Sequence, residues 1–168
     1  MGYTTDFSGA FVVSPTLKQK HINYLNQFNG TRRVKRDPAK TILRDDLFRE
    51  VVGLPVGVDG EFFVGESGFA GQDRGPDVVD NNSPPSTQPG LWCQWVPSDD
   101  GRRIEWDAGE KFYDYIEWLE YVIDRFMTTW GYVLNGSVEW FGEDYDDRGR
   151  IDVKDNKVTV RKGHIVYE

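Results

Sequence analysis

WDAGEKFYDYIEWLEYVIDRFMTTWGYVLNGSVEW, residues 106–140, is the stretch that decides the fold class. Phe112, Tyr115, Ile116, Leu119, Val122, Ile123, Phe126 and Trp130 recur at spacings of three and four, which sets them on one face of a helix. The same period turns Glu110, Lys111, Asp114, Glu117 and Asp124 mostly to water. Gly131 supplies the usual C-terminal stop. Beyond it the pattern changes to period two. Asn135-Gly136 predicts a hairpin there, because a type I′ turn needs positive φ at both central positions. The segment predicts a helix packed on an antiparallel sheet.

On the N-terminal side, residues 3–13 (YTTDFSGAFVV) are rich in β-branched and aromatic side chains and read as a strand bent at Gly9. Ser14-Pro15 reads as an N-cap with proline at the first helical position. The helix it opens runs to about Phe28, with Leu17, His21 or Ile22, Tyr24, Leu25 and Phe28 on its buried side, and Asn29-Gly30 closes it. A short helix around Leu43, Leu47 and Phe48 is expected within residues 38–52. Residues 53–90 hold eight Gly and five Pro and read as a long irregular loop or lid, with a strand only at 61–64. Residues 91–96 and 102–106 alternate as paired strands, which places one of Trp92 and Trp95 in the core. After an acidic turn, residues 150–154 and 157–160 pair around Asp155-Asn156, and residues 164–167 form a last strand. The expected architecture is α+β: a single antiparallel sheet, two main helices packed on a face, and one domain over residues 1–168.

At 168 residues the chain is long enough for one domain with a real core. The formal charge of −8 argues against nonspecific nucleic-acid binding. That charge is uneven. Residues 1–50 carry nine Lys/Arg against five Asp/Glu, whereas residues 51–168 carry eleven against twenty-three. A single cysteine, Cys93, excludes an intramolecular disulfide and fits a reducing compartment. Without an apolar run of membrane length or a charged-then-apolar leader, the expected address is the cytoplasm.

MGYTTDFSGAF, TRRVKRD, PGLWCQWVP, WDAGEKFYDYIEWLEY, WGYVLNGSVEWFGED and IDVKDNKVTV together resemble a family of short proteins encoded in bacterial and phage genomes. The resemblance covers nearly the whole chain. It implies no reaction, cofactor or catalytic residue. Phage occurrence implies a host-directed role such as countering a defence system, and bacterial occurrence a housekeeping one.

Several constellations invite chemistry. Cys93 with His21 or His164 would make a nucleophile–base pair only if they met in space, and a strand-borne thiol between Trp92 and Gln94 behaves as a small hydrophobe. The acidic turn, counted from Asp144, sets Asp146, Gly149, Ile151 and Asp155 at calcium-loop spacings. Arg148, however, stands where an oxygen ligand belongs, and a solvated hairpin turn is the better account. The glycine-rich stretch GESGFAGQDRG lacks both phosphate-loop patterns.

Ligand binding fares best. Arg32, Arg33, Lys35 and Arg36 fall within five positions, and guanidinium forks match oxyanions bidentately; the bland alternative is a solvated loop. With Arg74, and Trp92 or Trp95 for stacking, they form the expected site of a non-enzymatic cytoplasmic protein that binds a small anionic, nucleotide-like ligand, with no metal or cofactor. In a phage setting it would sequester a defence signal. The alternative is an inhibitor that contacts a host protein through an acidic and aromatic surface near Trp140, Phe141 and Tyr145. An enzyme ranks third.

Overall fold

β1 (Thr5–Ser14) runs up the middle of a six-stranded antiparallel sheet. The structure is a computed structural model and describes residues 2–65, 74–164 and 166–167. The chain divides into two compact units, one formed by residues 1–17 and 94–168, the other by residues 18–93. Together they make an α+β protein with one main sheet.

The first unit holds β4 (Trp95–Pro97), β5 (Arg103–Trp106), β6 (Val133–Gly142), β7 (Arg148–Lys154) and β8 (Lys157–Lys162) beside β1, in the order β4-β5-β1-β6-β7-β8. Period-two alternation gives the sheet a buried face carrying Phe11, Val13, Leu134, Val138, Trp140, Ile151 and Val153. Against it packs a continuous helical stretch: α4 (Tyr115–Val122), a π turn (Ile123–Met127) and α5 (Thr128–Trp130). Of the face that the spacing predicts, Leu119, Val122, Ile123 and Phe126 are buried and Tyr115, Ile116 and Trp130 half-buried, while Trp118 and Met127, outside that face, are buried as well. Gly131 ends the stretch at φ 83°. Its start differs from expectation. Residues 107–114 stay outside the helix, with Ala108, Lys111 and Asp114 all at positive φ. The loop is held instead by polar contacts, as Trp106 Nε1 donates to Gly109 O (3.1 Å) and Gln94 Nε2 to Glu110 O (3.0 Å).

Asn135-Gly136 does not turn. β6 passes straight through it, because all ten of its residues pair with β1. Gly136 adopts φ 138°, and a Cβ there would lie 2.9 Å from Ala10 O, so glycine serves close strand approach and not reversal. The type I′ geometry appears one hairpin later, where Asp155 and Asn156 take φ 49° and 68° between β7 and β8. Residues 163, 164, 166 and 167 form no strand.

In the second unit, α1 (Gln19–Asn29) buries His21, Ile22, Tyr24, Leu25 and Phe28, the expected face. It starts later than the sequence suggests: Ser14-Pro15 is a cis peptide and residues 15–18 are not helical. β2 (Lys35–Arg36) pairs with β3 (Val78–Asp80), and α2 (Pro38–Thr41) and α3 (Leu47–Val51) flank a loop in which Leu43 is exposed. Residues 61–64 form no strand, yet Phe62, Phe63 and Val64 are buried. Side chains satisfy this irregular backbone. Tyr24 Oη donates to Phe62 O (2.8 Å), while Asp46 Oδ1 accepts from Val64 N (3.2 Å) and Gly65 N (2.9 Å). Apart from β3, the described part of the 53–90 stretch is therefore largely irregular but carries core. Most of GESGFAGQDRG lies outside the described residues. No helix among the described residues is long and apolar enough to cross a membrane.

Candidate functional site

The 32–36 run leaves the end of α1 and turns inward at Arg33, Val34 and Arg36. Arg33 is buried; its Nη2 donates to Glu61 O (2.8 Å) and Phe63 O (2.7 Å), and its guanidinium lies 4.2 Å over the Phe28 ring. Arg36 is buried as well, its Nη1 sharing both oxygens of Asp77 (3.1 Å each) with its guanidinium over Phe63. Asp77 also receives Thr41 Oγ1 (2.8 Å) and Arg44 Nη1 (2.9 Å). Burial alone would push this carboxyl up, but the Thr41 hydroxyl, Arg36 and Arg44 hold it below the usual range. Both buried arginines thus serve the second unit's interior.

The other members of the expected site are more open. Arg32 is half-buried, its Nε donating to Asn81 O (3.1 Å); Lys35 is half-buried on β2; Arg74 is exposed. Arg33 N donates to Leu91 O (2.8 Å), which brings the run beside the stretch that carries the half-buried Trp92. Trp95 belongs to the first unit. It is buried among Phe7, Phe11 and Phe112, and its Nε1 donates to Tyr115 O (2.8 Å). Trp95 is therefore the core tryptophan of the pair.

The acidic turn 143–147 is built into the first unit. Asp147 accepts from Tyr3 Oη (2.6 Å) and Trp140 Nε1 (3.0 Å), and the Tyr3 hydroxyl chiefly keeps its carboxyl low. Glu143 accepts from Thr4 N (2.6 Å). Among the described residues, no group of three or more His, Cys, Asp and Glu side chains is arranged to hold a metal ion. Cys93 and His21 are buried, and His164 is exposed.

A second arginine–aspartate cluster lies on the solvent side of the main sheet, where sequence reasoning did not look. Asp152 on β7 binds Arg150 Nε and Arg161 Nε through opposite oxygens, 2.9 Å each, and accepts from Ser137 Oγ (2.5 Å). That hydroxyl first, then the two arginines, keeps the carboxyl below its usual range. Arg150 and Arg161 stand directly opposite in register, as do Lys154 and Lys157. Alternation sets Arg148, Arg150, Lys154, Lys157 and Arg161 on one face of the β7–β8 ribbon, with Asp152 the only acid there. At its end Arg148 lies over Phe141 and Tyr145. With Nε of both arginines on Asp152, the remaining guanidinium N–H groups have no acceptor among the described residues. The signal was legible: a charge at every second position from 148 to 154 marks one strand face.

Compared with models of known protein families, with curated proteins and with solved structures, the chain matches none of them.

Proposed function

We propose that this is a non-enzymatic cytoplasmic binding protein for an anionic ligand, received on the outward face of β7–β8. One observation carries the reading. Asp152 holds Arg150 and Arg161 side by side at 2.9 Å contacts while both guanidinium groups keep N–H donors toward solvent. Two such forks, fixed in advance, suit a phosphate or carboxylate better than solvated lysines do, because less side-chain entropy is lost on binding. Residues 148–162 carry six cations against two acids in a chain of net charge −8, with Glu139 of β6 opposite Arg150 in register as the neighbouring acid. Sequestering an anionic signal, the setting that the family resemblance suggests, asks for such a surface and for no catalytic group.

Calorimetry with pyrophosphate and a nucleoside triphosphate tests the reading. Arg150→Ala/Arg161→Ala is expected to weaken binding at least about tenfold, the scale of one or two lost charged hydrogen bonds. Arg32→Ala/Lys35→Ala is expected to leave it unchanged. The reverse pattern would return the site to the 32–36 run, and equal affinities in all three proteins would remove both placements.

A further inference from the structure

At β8 the main sheet stops, since among the described residues this strand pairs with β7 alone. The register tells which of its backbone groups are occupied. Gly163 N donates to Arg148 O (2.8 Å), which makes those residues a hydrogen-bonded pair. Antiparallel pairs alternate, so Arg150↔Arg161, Asp152↔Thr159 and Lys154↔Lys157 are hydrogen-bonded as well. The N–H and C=O groups of Val158, Val160 and Lys162 consequently point away from β7, along the free edge. An edge of this kind is a template for another strand.

The two faces beside that edge differ in chemistry. Val158 and Val160 stand opposite Val153 and Ile151, on the buried face of the sheet, yet Val160 is 47% exposed and Val158 half-buried. Next to Val158 opens a cleft of about 250 Å³ lined by Glu120, Ile123, Asp124, Asn156, Lys157 and Val158, where α4 passes into the π turn. On the other face Lys157 and the Asp152-bound Arg161 stand at the margin, backed by Arg150 and Lys154 one strand inward.

We propose that the free edge of β8 receives an extended segment of another protein whose residues alternate between apolar and acidic. Main-chain bonds to Val158, Val160 and Lys162 would extend the sheet by one strand. On the helix side the segment's apolar side chains cover the two valines and reach the cleft, from which Glu120 and Asp124 repel acids. On the opposite side its acids, about 7 Å apart at every second residue, match the spacing from Lys157 to Thr159 to Arg161. A second copy of this chain fits worse, because pairing β8 with itself brings another Lys157 and Arg161 onto an already cationic face. The acidic half of this inference rests on the anion reading above; the edge does not.

The test uses the whole chain and a capped eight-residue peptide of alternating Val and Glu, with alternating Val and Lys as control. Amide exchange followed by NMR is expected to show at least about tenfold added protection at Val158, Val160 and Lys162, with Thr159 and Arg161 unchanged. Calorimetry is expected to give at least about tenfold weaker binding for the Val/Lys peptide, for a Val/Glu peptide N-methylated at alternate residues, and for Val160→Pro. Proline removes an N–H that β7 does not use, so β6–β7 amide protection should persist; Val160→Asp, which sets a charge against the segment's apolar side chains without touching the backbone, gives the second reading. Binding without protection at those three amides, or unaffected by N-methylation, overturns the proposal. So does protection that rises with protein concentration when no peptide is present, which would make a second copy the occupant. Loss of pyrophosphate binding in Arg150→Ala/Arg161→Ala with no edge protection sinks the edge alone. Edge protection by Val/Glu and Val/Lys peptides alike sinks the anion reading instead.

Discussion

Asp77 and Asp152 each gather two arginines and one hydroxyl, and the two clusters differ almost only in burial. Asp77 and Arg36 are 1% and 2% exposed, with Arg44 at 34%; Asp152 is 24% exposed and its arginines 49% and 64%. Thr41 fills at the first the place that Ser137 fills at the second. In the interior every charge must be met by its neighbours, because an uncompensated one costs several kcal/mol, so the cluster is committed to the fold. On the open sheet the same groups stay in contact with water. Four cations within five residues read as an anion site or a solvated loop, but Arg33 and Arg36 hold irregular backbone and a buried acid. Local density of charge did not decide which arginines stay open to water; packing did.

The comparison breaks first at Asp77. Asp77→Ala leaves Arg36 buried without its counter-ion, and a loss of about 3–5 kcal/mol in unfolding free energy is expected from denaturant titration. A loss below 1 kcal/mol would mean that water or rearrangement reaches this site, and the distinction between a closed and an open cluster would fall.

The pH dependence sharpens it. The folded Asp77 carboxyl titrates below its ordinary 3.8, so the unfolded chain takes up that proton first and stability is lost as pH falls past that value. Asp77→Asn should flatten this acid limb. His21 acts in a separate window. Burial, then the charges of Lys20 and Lys18, lower its imidazole from 6.5 to about 4. Between those values the unfolded chain binds a proton that the folded chain does not, so stability declines from pH 6.5 toward 4 and His21→Gln should remove that decline. Thermal melts stepped from pH 7.5 to 2.5 would separate the two.

What could be read from sequence follows from how local its cause was. The buried faces of α1 and α4, the β1 strand with Gly9 at φ 106°, and the 155–156 turn each depend on periodicity or on φ at one or two residues. Asn135-Gly136 misled because its turn preference competes with a ten-residue ladder to β1, a non-local gain that no short window contains. Residues 107–114 misled in the opposite way. Phe112 keeps helical spacing and is buried, but three positive-φ residues and bonds from Gln94 and Trp106 fix a loop there. The Asp152 cluster was visible as alternating charge, yet its arginines meet only through the register of β7 with β8.

The smallest effect expected is at Asp152 itself. Exposed ion pairs contribute little to stability, so Asp152→Ala should change the unfolding free energy by less than about 1 kcal/mol, against several for Asp77→Ala. If the carboxylate matters by holding Arg150 and Arg161 in place, the same substitution must still weaken pyrophosphate binding, although it removes a negative charge that by itself repels the anion. Coulomb attraction alone predicts tighter binding after the acid is lost, and preorganisation predicts looser binding. The sign of that one change, read by calorimetry at matched ionic strength, decides whether the open cluster is built to receive a ligand or is only a charged surface.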